Sequence, residues 1–196
     1  MNIINDNCFG DTFSQELESY IYSDFSNILW SLNVNTNVED PERIYAISNN
    51  NTVGSFQMVS PVSEGHPLYN TIMGMLLGFA DAHNIAVERV LRIKINMVMQ
   101  DSDAPLGSHH MPHIDSDGDH SVFLYYVNDS DGDTVFFKDW FNGSTPELTE
   151  VVKSVSPKRG RAIIFNGLQY HASSSPREYK TRCVINVDFE QKANNE

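Results

Sequence analysis

Positive charge is scarce in this sequence. Lys and Arg together number 13 against 26 Asp and Glu, for a formal net charge of −13. Such an excess repels phosphate, so neither a nucleic-acid substrate nor docking on an anionic membrane is expected. The one basic cluster, Lys153, Lys158, Arg159 and Arg161, reads as a solvated loop and strand edge. Cysteine is nearly absent. Cys8 and Cys183 lie far apart, and two cysteines make no disulfide framework, so a reducing cytoplasm is the expected setting. No apolar run approaches the length needed to cross a bilayer, and the start of the chain lacks the basic and apolar regions of a signal peptide.

What is present suits one domain. A chain of 196 residues, 40% hydrophobic and 11% aromatic, has enough apolar mass for a single core. Ile3 and Ile4 suggest a short opening strand. Asp11 offers a helix N-cap, and Phe13, Leu17, Tyr20, Ile21, Phe25, Ile28 and Leu29 follow at helical spacing. Residues 33–52 are polar and Asn-rich, with a short strand expected at Tyr45–Ile47. A second helix is expected from Pro67, with Leu68, Ile72, Met75, Leu76 and Phe79 as its stripe, running to Asn84. From Glu88 the pattern changes to short β segments near 89–99, 108–114, 121–128, 133–138, 150–156, 161–166, 169–173 and 181–189. Asp131-Gly132 signals a tight connection between two of them. Eight strands after two helices predict a mainly β sandwich or barrel supported by helices. Residues 1–87 form the support and 88–190 the core.

The chemistry-bearing segment is His109-His110-Met111-Pro112-His113-Ile114-Asp115, with His171 far downstream. On a strand, residues i and i+2 share a face, so His113 and Asp115 would project together. His171 is placed to join them from another strand. Two imidazoles and a carboxylate on one face make the facial triad of non-haem iron sites, with positions left open for ligands. Arg182 opens the strand Arg182-Cys183-Val184-Ile185-Asn186-Val187-Asp188-Phe189 and is able to grip a carboxylate through paired hydrogen bonds. Tyr125-Tyr126-Val127-Asn128 can aim a phenol into the same space, and Pro157–Phe165 leads through a turn into a buried strand just before His171.

From about Arg92 to Glu190, in motif order and spacing together, the chain resembles the 2-oxoglutarate/Fe(II) dioxygenases, and within them the prolyl 4-hydroxylase-like branch. The resemblance implies a double-stranded β-helix, or jelly-roll. It also implies Fe(II), 2-oxoglutarate and O₂ as cofactor and cosubstrates, with ascorbate as an auxiliary reductant. By position His113, Asp115 and His171 match the metal ligands, Arg182 the residue holding the far carboxylate of 2-oxoglutarate, and Tyr126 its helper. The implied reaction hydroxylates an unactivated C–H bond while 2-oxoglutarate becomes succinate and CO₂. The substrate would be a prolyl residue of a peptide or a small molecule. One departure stands out: Gly132-Asp133 replaces a pair of glycines often found there. Asn186 and Asp188 share the Arg182 face and are candidate substrate contacts, unless the strand is leaving the core and these groups are solvated. Trp140, in a loop over Lys138–Gly143 that reads as a lid, is another candidate contact, unless it is a packing residue.

Three rival readings remain. Alternating aspartates from Asp115 to Asp119 and at Asp129, Asp131 and Asp133 invite a calcium loop. The EF-hand pattern fails, because Gly and Glu are missing at its sixth and twelfth positions. Clustered His109, His110 and His113 suggest zinc, but no Cys ligand or HExxH accompanies them. A catalytically inactive jelly-roll acting as a binding module is the third, against which the complete triad speaks.

Overall fold

The computed structural model describes residues 3–23, 26–33, 54–143 and 150–192; the strand expected at Tyr45–Ile47 and the stripe residue Phe25 lie outside them. In chain order the elements are β1 (Ile3–Asn5), α1 (Asp11–Ile21), β2 (Ser31–Asn33), β3 (Gln57–Pro61), α2 (Tyr69–Ala82), β4 (Val87–Met99), β5 (Ser121–Tyr126), β6 (Thr134–Trp140), β7 (Val151–Val155), β8 (Ala162–Asn166), β9 (Gln169–Ser173) and β10 (Thr181–Gln191). They form a seven-stranded sheet in the order β1-β8-β5-β10-β4-β3-β2 and a three-stranded sheet in the order β7-β6-β9, all antiparallel. This is a jelly-roll with helices packed on the outer face of the larger sheet.

Alternation along β10 explains how one strand serves two cores. Cys183, Ile185, Val187 and Phe189 face the helices, where they join Ile72, Leu76 and Phe79 of α2 in the main cluster. Val184, on the opposite face, joins Val122, Leu124, Tyr126, Phe136, Val155, Ile163 and Phe165 between the two sheets. A strand buried on both faces reads as a near-continuous apolar run, as β5 does, whereas β10 interrupts that run with Arg182, Asn186 and Asp188. Polar residues on the inner face of β10 therefore require a specific use.

Several expectations shift in detail. Asp11 is the first helical residue, with Gly10 as N-cap, and makes no side-chain cap bond. The second helix begins at Tyr69, after Pro67, and ends before Asn84, whose φ of +57° leaves the helical region. Strands β2 and β3 were not expected. The segment expected as a strand at 108–114 is an irregular crossing, and its named pairing is an isolated bridge from His113 to His171. Backbone pairing with β9 is made at this bridge and through His110, whose N–H donates to the Ser173 carbonyl at 2.7 Å. The Asp131-Gly132 stretch is not a hairpin turn, because β5 and β6 belong to different sheets. Lys158 and Arg161 pair with Asp6, and Arg159 with Glu18, fastening the β1–α1 region to the barrel.

Candidate metal centre and cavity

His113 and His171 face each other across their isolated bridge, with backbone hydrogen bonds of 2.9 and 3.0 Å in both directions. Their rings lie 4.7 Å apart between centroids. Asp115, two residues after His113, turns its carboxylate into the same space. One ligand atom from each of His113, Asp115 and His171 lies within 4.8 Å of the others. The expected pairing by strand alternation is thus reached by another route, a bridge plus a turn.

Protonation follows from the hydrogen bonds. His113 Nδ1 lies 3.1 Å from the Met111 carbonyl and His171 Nδ1 2.9 Å from the Gln169 carbonyl. A carbonyl only accepts, so both Nδ1 atoms carry hydrogen, and in the neutral rings that a metal requires both Nε2 atoms present lone pairs. His171 Nε2 stands 3.3 Å from Asp115 Oδ2, an oxygen that has no hydrogen-bond donor. Lone pairs facing one another, on a carboxylate side chain only 1% exposed, are the arrangement that a cation satisfies. The donor set of two imidazoles and one carboxylate fits Fe(II). The other carboxylate oxygen, Asp115 Oδ1, accepts from Arg92 and lies 3.4 Å from Lys94 Nζ. Burial raises the Asp115 carboxyl, but the Lys94 ammonium beside it leads the charges that hold it well below the usual range.

Arg182 lies 3% exposed on the inner face of β10. Its Nε donates to the Gly132 carbonyl at 2.7 Å and its NH2 to Thr134 Oγ1 at 2.7 Å. Among the described residues no ion pair involves this guanidinium, and burial pulls its pKa below the ordinary value. Tyr126 is fully buried, with its hydroxyl 2.7 Å from the same Thr134 oxygen and its ring 5.7 Å from the Arg182 guanidinium carbon. Tyr126 thus lies behind Thr134 and Arg182, which line the cavity, and is not itself part of the lining. His113, His171, Thr134 and Arg182 line one cavity that opens to solvent.

The remaining expected residues separate clearly. Asn186 lines this cavity, and its buried Oδ1 has no partner. Asp188 is buried and not solvated; Arg92 Nε reaches it at 2.7 Å, and it sits beside the cavity. Trp140 is a correction. It ends β6, nearly half exposed, and does not line the cavity; the expected lid is strand through Trp140. His109 and His110 point elsewhere, His110 lying between the hydroxyls of Ser173 and Ser175. No other group of three metal-binding side chains comes together among the described residues, and Asp131 accepts backbone N–H bonds from Arg177, Glu178 and Tyr179 instead.

Sequence reasoning missed Arg92, Lys94 and Asn96 of β4 and Gln57 of β3. Lys94, Asn96 and Gln57 line the cavity. The signal for β4 was available: Arg92-Ile93-Lys94-Ile95-Asn96-Met97 alternates polar and apolar, with Ile93, Ile95 and Met97 in the core under the helices.

Burial also sets an acid response. His110 and His113 are pushed down to about 3, chiefly by desolvation. The unfolded chain binds protons near the ordinary value of 6.5 and the folded chain does not, so stability present above that pH is lost as pH falls toward 3. Each histidine contributes a slope of about 1.4 kcal/mol per pH unit in that window. Melting of the metal-free protein across this range is expected to show the loss, with a shallower slope for His110→Gln.

No family model and no curated protein matches this sequence. Solved structures do match it. An oxidoreductase of the 2OG-Fe(II) oxygenase family from Burkholderia pseudomallei aligns with a TM-score of 0.60 at 14% identity, covering 100% of this chain and 88% of that one. A prolyl hydroxylase from Trichoplax adhaerens, in complex with a hypoxia-inducible-factor oxygen degradation domain peptide, aligns at 0.59 and 16% identity over 96% and 82%. HygX from Streptomyces hygroscopicus, with nickel and 2-oxoglutarate bound, aligns at 0.59 and 13% identity over 96% and 82%. At these identities the likeness establishes the fold. The chain has the jelly-roll of the 2OG-Fe(II) oxygenases, prolyl hydroxylase included.

Proposed function

We propose that this chain is an Fe(II)- and 2-oxoglutarate-dependent dioxygenase that hydroxylates an unactivated C–H bond, on a prolyl residue or a small molecule. The observation that carries the reading is one cavity that combines two groups: the convergent ligand atoms of His113, Asp115 and His171, and the buried guanidinium of Arg182, which makes no ion pair among the described residues.

His113, Asp115 and His171 would hold the metal, with both imidazole tautomers fixed by backbone carbonyls. Arg182 and the Thr134 hydroxyl would take the far carboxylate of 2-oxoglutarate, and Tyr126 orients that hydroxyl from behind. Bound metal and cosubstrate would supply the oxidising chemistry of O₂ activation. The chain's own work is to orient the reactants and keep water out. Leu124, Phe165, Ala172 and Val184 supply the apolar wall for that.

The reading is tested by melting the protein with ligands added singly and together. Binding only to the folded state raises the melting temperature. Metal alone is expected to raise it, and 2-oxoglutarate to raise it further only when metal is present. An equal shift by 2-oxoglutarate without metal, or no shift by metal, would contradict the assignment and favour a binding module.

A backbone approach beside Arg182 gives a second expectation. A Cβ on Gly132 would stand 2.5 Å from the Ser174 carbonyl oxygen and 3.1 Å from Arg182 Cδ. Gly132→Ala should cost about 1–3 kcal/mol of stability through overpacking. It should also weaken 2-oxoglutarate binding more than metal binding, as paired calorimetric titrations would read.

A further inference from the structure

The ladder between β4 and β10 places four residue pairs on the inner face: Arg182 opposite Val98, Val184 opposite Asn96, Asn186 opposite Lys94, and Asp188 opposite Arg92. Arg182 stands at one end, and Arg92 with Asp188 closes the other. In the middle Lys94 lines the cavity, its side chain 16% exposed and its ammonium 3.4 Å from Asp115 Oδ1. Asn96 and Asn186 flank it, each with a buried side-chain oxygen that lacks a partner.

Where the one uncompensated positive charge in this space sits depends on what occupies it. Without metal, Lys94 and Arg92 balance Asp115 and Asp188, and the charge left over is that of Arg182. If the site takes a divalent metal and dianionic 2-oxoglutarate as proposed above, those two charges cancel, and three cations (Arg92, Lys94 and Arg182) face two carboxylates. One positive charge is left over. If burial keeps Asp188 protonated, the excess is larger and of the same sign. Arg182 is assigned to the cosubstrate and Arg92 is held by Asp188, so the excess belongs to Lys94. Once the metal draws on Asp115, Lys94 has a weaker hold on its only carboxylate partner among the described residues. A sheltered ammonium in that state favours an incoming anion.

We propose that the substrate is a carboxylate-bearing molecule, its carboxylate taken by Lys94 and its hydroxyl or N–H groups by the Asn96 and Asn186 amides. The inference rests on the dioxygenase reading and names the substrate class of that same cavity. It also predicts an order: the anion binds after metal and cosubstrate, because Lys94 is engaged by Asp115 before then.

The test needs no knowledge of the true substrate. Acetate and propionate, each with its carboxamide as control, are titrated anaerobically into protein loaded with Fe(II) and 2-oxoglutarate. The readout is paramagnetic broadening of the probe's methyl protons, with the visible absorption of the loaded site recorded alongside. Broadening is expected for the acids and not the amides, in the loaded protein and not the metal-free one. Lys94→Met should weaken it about tenfold or more, and Lys94→Arg should retain it. Broadening that persists in Lys94→Met means the acid sits on the metal itself and overturns the proposal. So does the absence of broadening in native protein whose visible band shows that metal and 2-oxoglutarate are bound. If that band never forms, the dioxygenase reading fails first, and the proposal falls with it. The band in Lys94→Met reports whether that variant is intact, with Lys94→Gln as the substitute if it is not.

Discussion

His113→Ala is expected to abolish metal-dependent turnover and to weaken Fe(II) binding by more than about 100-fold, given that loss of a group merely orienting a ligand already costs about 10–100-fold. The side chain removed is one of three donors whose ligand atoms lie within 4.8 Å of one another. What remains, Asp115 and His171, offers two ligands and no facial triad. The fold should survive, because His113 contributes one isolated bridge rather than a ladder, and the bridge is made by its backbone. Metal affinity by competition with a chromophoric chelator, next to a circular dichroism spectrum, checks both halves. Retained affinity with a native spectrum would move the metal site elsewhere.

Arg182→Met is expected to leave Fe(II) affinity near native while raising the 2-oxoglutarate concentration needed for binding by about 100-fold or more, the cost of two charge-assisted hydrogen bonds. Its effect on stability should be small, because two effects oppose each other. Methionine removes a buried charge that has no acidic counter-ion among the described residues, which favours the variant. It also strands the Gly132 carbonyl and the Thr134 hydroxyl, each costing about 1–3 kcal/mol. Calorimetric titration and a melting curve separate the binding loss from any folding defect. A variant that binds 2-oxoglutarate as tightly as native protein would remove Arg182 from the cosubstrate site.

Much of this site was legible because strand alternation is a strong signal. Arg182, Val184 and Asn186 line the cavity while Cys183, Ile185 and Val187 fill the core beneath the helices, as period-two reading requires. His113 and Asp115 were found for a partly wrong reason: their spacing suggested a regular strand, whereas a single bridge followed by a bend brings them together. What stayed hidden was tertiary. Nothing local shows that Lys94 and Arg92 would converge on Asp115, which is 21 and 23 residues away. Strand β3, the sequence Gln-Met-Val-Ser-Pro, is too short and irregular to show a period, yet it supplies Gln57 to the cavity wall. Trp140 misled because a large aromatic near a loop invites a lid, whereas it ends a strand and faces solvent.

The most direct measurement is an anaerobic titration of metal-free protein with Fe(II) and then 2-oxoglutarate, following visible absorption of the metal–keto-acid chelate. A band that grows to one equivalent of each in native protein, vanishes in His113→Ala and requires far more 2-oxoglutarate in Arg182→Met is the predicted result. Folded native protein that gives no band at any concentration of either would contradict the assignment of this cavity as an iron and 2-oxoglutarate site.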